Sequence, residues 1–475
     1  MTSPYDLLIL GSGSTAFSAA IKASELGGRV AMVERRTLGG TCANRGCLPS
    51  KNLIEAARIV WEAGHPRYPG LRPARVEVDF PALVAQKDEV VRDYRAKKYA
   101  SVAEAFDFEL LTGDARFEGA HVVSVAGRRV EADRYLIATG SRPSIPSIPG
   151  LETVPYLTSD LLDAEEARRL TDLPESLVVL GGGYVAVELA QMFARLGSRV
   201  TIVQRSNQLL TGYEPELGQL LAEVFGSEGI EVLTGARVER VSGDEREVSL
   251  AIELATTGRV VRAERLLVAT GRTPNTDSLG LETAGVTTDD DGHVIVDAEL
   301  RTSQPRIWAA GDVIGRQLGS QMATPVGART GRIVAENALG GAKRRFDGTV
   351  VPRVVFTDPP IGVVGLTEAD VRARRLPAVT KTTPLAYVPR AGAIHRPEGF
   401  VKFIASTIDE RVLGVHLVGE GASEVIGEAA MALHFKATLD DFIDLIHVYP
   451  TMSEALKIGA QSFSRDVTKL SCCAE

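Results

Sequence analysis

Two copies of one unit constrain this chain more than any other feature. In the first, Tyr5 to Leu10 is a short apolar strand and Gly11-Ser-Gly13-Ser-Thr-Ala16 is a glycine turn. A helical pattern follows through Ala19, Ala20, Ala23 and Leu26, and Val30 to Val33 is a second strand ending at Glu34. In the second copy, Leu177 to Leu180 leads into Gly181-Gly-Gly183-Tyr184-Val-Ala186. A helix through Leu189, Met192, Phe193 and Leu196 follows, and then Val200 to Val203. Strand, glycine turn, helix and strand in this order make a dinucleotide-binding unit. The glycines let backbone approach a pyrophosphate, and the helix N-terminus offers N–H donors and a positive dipole. Ala138-Thr139-Gly140 and Ala269-Thr270-Gly271 repeat a strand-to-turn motif after each unit, so the halves read as a duplicated α/β architecture.

The two units differ where a ribose would lie. Glu34 stands 23 residues after Gly11 and is expected to accept bonds from a ribose. The equivalent position after Gly181 is Gln204, followed by Arg205. A guanidinium pairs with a 2′-phosphate that a carboxylate would repel. The second unit is therefore expected to prefer NADPH over NADH.

Cysteine usage points to chemistry. The chain of 475 residues has four cysteines, Cys42 and Cys47 in one loop and Cys472 and Cys473 at its end. That is no disulfide framework. Paired thiols in a reducing cytoplasm are redox-active or metal-binding. Gly, Asn, Arg and Pro surround the first pair, which is loop rather than core composition. The formal charge of −8 argues against a nucleic-acid partner. No uncharged apolar run approaches the roughly 18 residues of a membrane span. Asp6 and the glycines after it fit a strand and turn rather than a signal peptide.

The helix after Cys47 carries Leu53, Ile54, Ala57 and Val60 at helical spacing, and another helix is expected over residues 80–104. Ile307 to Ala310 reads as a strand ending at Gly311-Asp312. Asp312 suits either a cofactor hydroxyl or a helix N-cap. From about Phe346, strands and then helices from Ala422 read as a separate α+β unit. A last helix is expected to begin near Pro450, with Thr451-x-x-Glu454 as a capping box. His65, His121, His293, His395, His416 and His434 show no metal-ligand spacing.

Two dinucleotide units, Gly-Gly-Thr41-Cys42-x4-Cys47-x-Pro-Ser-Lys51 and Gly311-Asp312 together resemble the pyridine nucleotide–disulfide oxidoreductases along the whole chain. The resemblance implies a homodimeric flavoprotein. FAD would be bound by a split domain of residues 1–150 and 276–343, and NADPH by 151–275. Residues 344–475 would form the dimerisation domain with its Cys-Cys tail. It implies that Gly11, Gly13, Ala16, Glu34, Thr41, Thr139, Gly140 and Asp312, with Gly311, serve FAD. Gly181, Gly183, Arg205 and Gly271 would serve the nicotinamide nucleotide. Cys47 would form the thiolate against the flavin and Cys42 the exchanging thiol. Lys51 would sit near the flavin, paired with Glu188, and Tyr184 would cover the flavin until nicotinamide displaces it.

Dithiol-specific members carry His-Pro-Thr-x-x-Glu, whose His moves protons between thiols. Here Tyr449 holds that place and His447 lies two residues earlier. A phenol with pKa near 10 is a poor base at neutral pH. Tyr449 and the terminal Cys472-Cys473 resemble the mercury(II)-reducing branch of the family. Hg(II) is soft, and thiolates are its soft protein ligands. The reading expects Cys472 and Cys473 of one subunit to pass Hg(II) to Cys42 and Cys47 of the other. Many members of that branch carry an N-terminal metal-binding module absent from this sequence, so delivery is expected to rest on the tail or on external thiols. The alternative is a disulfide reductase of the dihydrolipoamide or glutathione kind.

Overall fold

A computed structural model describes residues 5–255 and 257–471. Strand Leu7–Leu10, buried along its whole length, is central in a parallel five-stranded sheet. Its order is Ile307–Ala309, Tyr135–Ile137, Leu7–Leu10, Val30–Glu34, Glu109–Thr112. Unbroken apolar runs rather than alternation are what strands covered on both faces require. Helix Ser14–Glu25 packs against helix Thr324–Ala338, which the chain supplies only after building a second sheet.

That second sheet is also parallel, in the order Glu231–Thr234, Arg199–Gln204, Ser176–Leu180, Arg265–Val268. The duplication holds at the level of single hydrogen bonds. Gly11 N–H donates to the Val33 carbonyl at 2.8 Å, and Gly181 N–H to the Val203 carbonyl at 2.9 Å. Ala138 and Ala269 likewise donate to Leu10 and Leu180. Each parallel sheet is accompanied by a three-stranded antiparallel sheet within the same stretch of chain.

Residues 353–418 form an antiparallel five-stranded sheet, faced by helix Ala422–His434. The α/β class with a separate α+β unit is as expected. The last helix is a correction. It spans Glu454–Gln461 and not residues from Pro450. Only half of the capping box forms. Glu454 accepts from Thr451 N–H at 3.1 Å, but the Thr451 hydroxyl turns back to the Val448 carbonyl at 2.7 Å.

The helix over 80–104 is continuous but contains a π turn, Ala96–Ala100. Where the second unit meets the C-terminal sheet, the Lys402 ammonium is buried against Glu214, Glu216 and Glu368 at 2.7, 2.8 and 2.7 Å. Among the described residues no helix is long and apolar enough to cross a membrane.

Candidate active site

The cysteine loop is shaped by two glycines in left-handed conformation, Gly39 (φ +100°) and Gly40 (φ +65°). A Cβ on Gly40 would stand 2.7 Å from the Cα of Gly13. Only glycine lets this loop lie directly on the first dinucleotide turn. Buried Asn44 donates to the Leu38 and Gly40 carbonyls, both at 2.9 Å, and closes the short helix Gly40–Asn44. Buried Arg45 faces Asp160 and Asp163 at 3.6 and 3.3 Å and anchors the loop's far side.

Cys47 opens helix Cys47–Gly64, where the helix dipole favours a thiolate. Its Sγ lies 3.7 Å from the Thr324 hydroxyl, at the start of the helix packed on the first unit. Cys47 is exposed, and the Cys42 thiol, the Thr324 hydroxyl and the Lys51 charge bring its thiol down to about 6 against the desolvating effect of the surrounding protein. Cys42 moves the other way, pushed up by its contact with Cys47 and by burial. The pair thus divides into one thiolate and one thiol.

Lys51 Nζ reaches Glu188 Oε2 at 2.6 Å, and Glu188 Oε1 accepts from Phe356 N–H at 2.8 Å. The ammonium also sits 4.6 Å from the centre of the Phe356 ring. The helix that begins with Cys47 and the helix of the second glycine turn are therefore joined at Lys51–Glu188. Tyr184 is the first residue of that second helix and is exposed.

The glycine turns are built as the motif requires. A Cβ on Gly11 would stand 2.3 Å from the Ala138 carbonyl oxygen, and one on Gly181 2.4 Å from that of Ala269. Glu34 lines a cavity with Gly11, Asp114, Thr139 and Asn275, and accepts from the Ser12 hydroxyl at 2.5 Å. Thr139 and Asn275 exchange hydrogen bonds at 2.7 and 2.9 Å across this wall, where Gly140 also turns. Ala16 is fully buried beneath the turn, where it lets helix and sheet approach.

Gly311 lies against the Thr15 hydroxyl, and Asp312 accepts from Ser141 at 2.5 Å. Asp312 is not an N-cap, because Ala310 precedes its short helix. At the second turn the Gln204 side chain crosses Gly182. Arg205 beside it is exposed, with no ion pair among the described residues.

Tyr449 lies in an exposed apolar segment with Leu445, Ile446 and Val448. His447 in that segment is occupied on both nitrogens, Nε2 by Glu428 at 2.8 Å and Nδ1 by the Leu445 carbonyl at 3.1 Å. Cys472 and Cys473 lie outside the described residues.

Three residues at the site escaped the sequence reading. Thr324 and Phe356 come from distant segments with no motif of their own. Tyr99 sits in the π turn, and its ring would touch a Cβ on Gly39 at 3.2 Å, while packing edge-on to Phe17. Burial, with the nearby cysteines adding to it, pushes the Tyr99 phenol up to about 12.

Comparison with known proteins gives matches along the chain. The pyridine nucleotide-disulphide oxidoreductase family matches residues 5–331, and the dimerisation domain of the same family matches 351–460. The chain is 43% identical over 470 residues to a mercuric reductase of Staphylococcus aureus, covering 99% of this chain and 84% of that one. It is 45% identical over 480 residues to a mercuric reductase of Streptomyces lividans, covering 99% and 98%. Among solved structures, the Cu(II) complex of the HOCl-induced flavoprotein disulfide reductase RclA from Escherichia coli superposes with a TM-score of 0.85 at 30% identity. That match covers 98% of this chain and all of the other.

Proposed function

Since the chain belongs to the pyridine nucleotide-disulphide oxidoreductases, we propose that it is a flavoenzyme that reduces Hg(II) to Hg(0) with NADPH. The observation that carries this reading is a thiolate–thiol pair, Cys47 and Cys42, in a chain with Tyr449 where dithiol exchange needs an imidazole and with neighbouring His447 occupied on both nitrogens. The relatives named mercuric reductase support it along nearly the whole chain.

The first unit suits FAD. Glycine at Gly11 and Gly40 leaves a cradle that a Cβ would fill, and Glu34 stands at the wall of the adjoining cavity. When bound, FAD supplies the two-electron relay between nicotinamide and metal. We assign FAD to residues 1–150 and 276–343, NADPH to 151–275 and dimerisation to 344–475. Arg205 would pair with the 2′-phosphate, and Tyr184 would cover the nicotinamide side.

Cys42 and Cys47 would hold Hg(II) as a dithiolate, its softness matching theirs. Lys51 would keep Cys47 ionised. Two electrons convert NADPH and Hg(II) into NADP+, a proton and Hg(0), so no proton must be placed on the metal. The Tyr449 position needs no base for that reason. Tyr449, with the tail cysteines Cys472 and Cys473 delivering from the other subunit, would complete the metal's path. We place the enzyme in the cytoplasm, where NADPH and reduced thiols are supplied.

The test is NADPH oxidation by the purified yellow protein with Hg(II) given as a thiol complex, beside lipoamide and oxidised glutathione. Mercury-dependent oxidation with release of volatile metal, and little disulfide turnover, is expected. Disulfide turnover without mercury turnover would refute the reading. Changing both tail cysteines to Ala is expected to slow reduction of Hg(II) carried by bulky thiols.

A further inference from the structure

The face of helix Tyr184–Leu196 that carries Glu188 also carries Gln191 and Arg195 on the following turns. All three bond to one short segment, Phe356–Asp358. Glu188 accepts from Phe356 N–H, as described. Gln191 accepts from Asp358 N–H at 2.8 Å and donates to the Asp358 carbonyl at 2.8 Å. Arg195 Nη1 donates to Asp358 Oδ2 at 2.9 Å. The other oxygen, Oδ1, accepts from Arg396 Nη1 at 2.7 Å. Arg396 also reaches Glu62 at 2.9 Å, near the end of the helix that Cys47 opens.

Asp358 and Arg195 are buried. Arg195 is itself held by Glu228 at 2.9 and 2.5 Å. One carboxylate therefore ties together the helix of the redox loop, the helix of the second glycine turn and the C-terminal unit. The two guanidinium groups hold the Asp358 carboxyl below the usual range although burial opposes them.

We propose that Asp358 is a positioning residue for hydride transfer: it fixes segment Phe356–Asp358, and through it the Glu188 carboxylate and the Lys51 ammonium. This rests on the function proposed above. Both Glu188 oxygens are committed, one to Lys51 and one to Phe356 N–H. If the segment slackens, Glu188 turns and Lys51 leaves its place over the Phe356 ring. A misplacement of about 1 Å originating far from the chemistry costs about a hundredfold in rate.

Two variants test this. Asp358→Asn keeps the shape and the backbone bonds to Gln191 but removes the charge between Arg195 and Arg396. Gln191→Met keeps the length and removes the paired bonds. Rapid-mixing reduction of the bound flavin by NADPH is measured in each. So is the pH at which Cys47 is half alkylated by iodoacetamide in the protein without added NADPH. Flavin reduction is expected to slow by about tenfold to a hundredfold, and the Cys47 midpoint to move upward as Lys51 is released.

Flavin reduction at the parent rate with an unmoved Cys47 midpoint overturns the proposal, whatever the change in melting temperature. Should Asp358→Asn fail to fold, Gln191→Met decides by the same criteria. Should NADPH fail to reduce the parent protein, the proposed function falls instead, and the Cys47 midpoint still decides whether Asp358 sets Lys51.

Discussion

Cys47 and Cys42 are the same residue type five positions apart, and their surroundings make them chemically unlike. At the N-terminus of its helix, the Cys42 thiol first, then the Thr324 hydroxyl and the Lys51 charge, bring the Cys47 thiol down to about 6. Alkylation of Cys47 is expected to rise through that pH, whereas an ordinary cysteine reacts near its value of about 8.5. Mass spectrometry of peptides after timed alkylation checks this, and a midpoint near the ordinary value would remove the thiolate assignment. Lys51→Met takes away one favourable charge, and its midpoint is expected to lie higher. Tyr99 shows the limit of reading residues singly. Its type and helical setting suggest core packing, and only the fold shows its ring against the backbone of the cysteine loop.

At the scale of elements, His447 ties the segment Leu445–Tyr449 to helix Ala422–His434. Glu428 on helix Ala422–His434 raises the His447 pKa, chiefly through its hydrogen bond, while burial opposes it. A raised folded-state value means that the pair adds stability fully below the ordinary imidazole range. That contribution is lost as pH climbs through the raised value. The unfolding midpoint of Glu428→Gln is therefore expected below that of the parent at about pH 6, with the gap closing at alkaline pH. An equal gap at both would show that the pair does not titrate. The cysteine loop, the glycine turns and the strands that flank those turns were legible in the sequence, because each depends on local chemistry. The π turn at Ala96–Ala100 and the start of the last helix at Glu454 were not, because packing on other segments decides both.

The whole molecule is joined at buried charge. Lys402 is 1% exposed and meets three carboxylates from the second unit and the C-terminal unit. Lys402→Met would leave Glu214 buried without its cation, a change expected to cost about 3–5 kcal/mol, read from denaturant unfolding. The exposed apolar residues Ile446 (89%), Val448 (74%) and Phe435 (75%) lie on the dimerisation-domain match. Ile446→Asp is expected to yield monomers in sedimentation and to lose mercury turnover, since a solitary charge on such a patch opposes burial. The sequence by itself determined the two dinucleotide units, the Cys42–Cys47 loop and the family, because glycine turns and thiol spacing are local requirements written in consecutive residues. Only the tertiary structure decided that Thr324, Phe356 and Tyr99 meet the cysteine loop and its lysine. It alone brought Glu188, Gln191 and Arg195 onto the segment Phe356–Asp358 and left His447 with no free nitrogen. Those contacts join residues far apart in the chain, and no local pattern in the sequence encodes which distant groups burial will bring together.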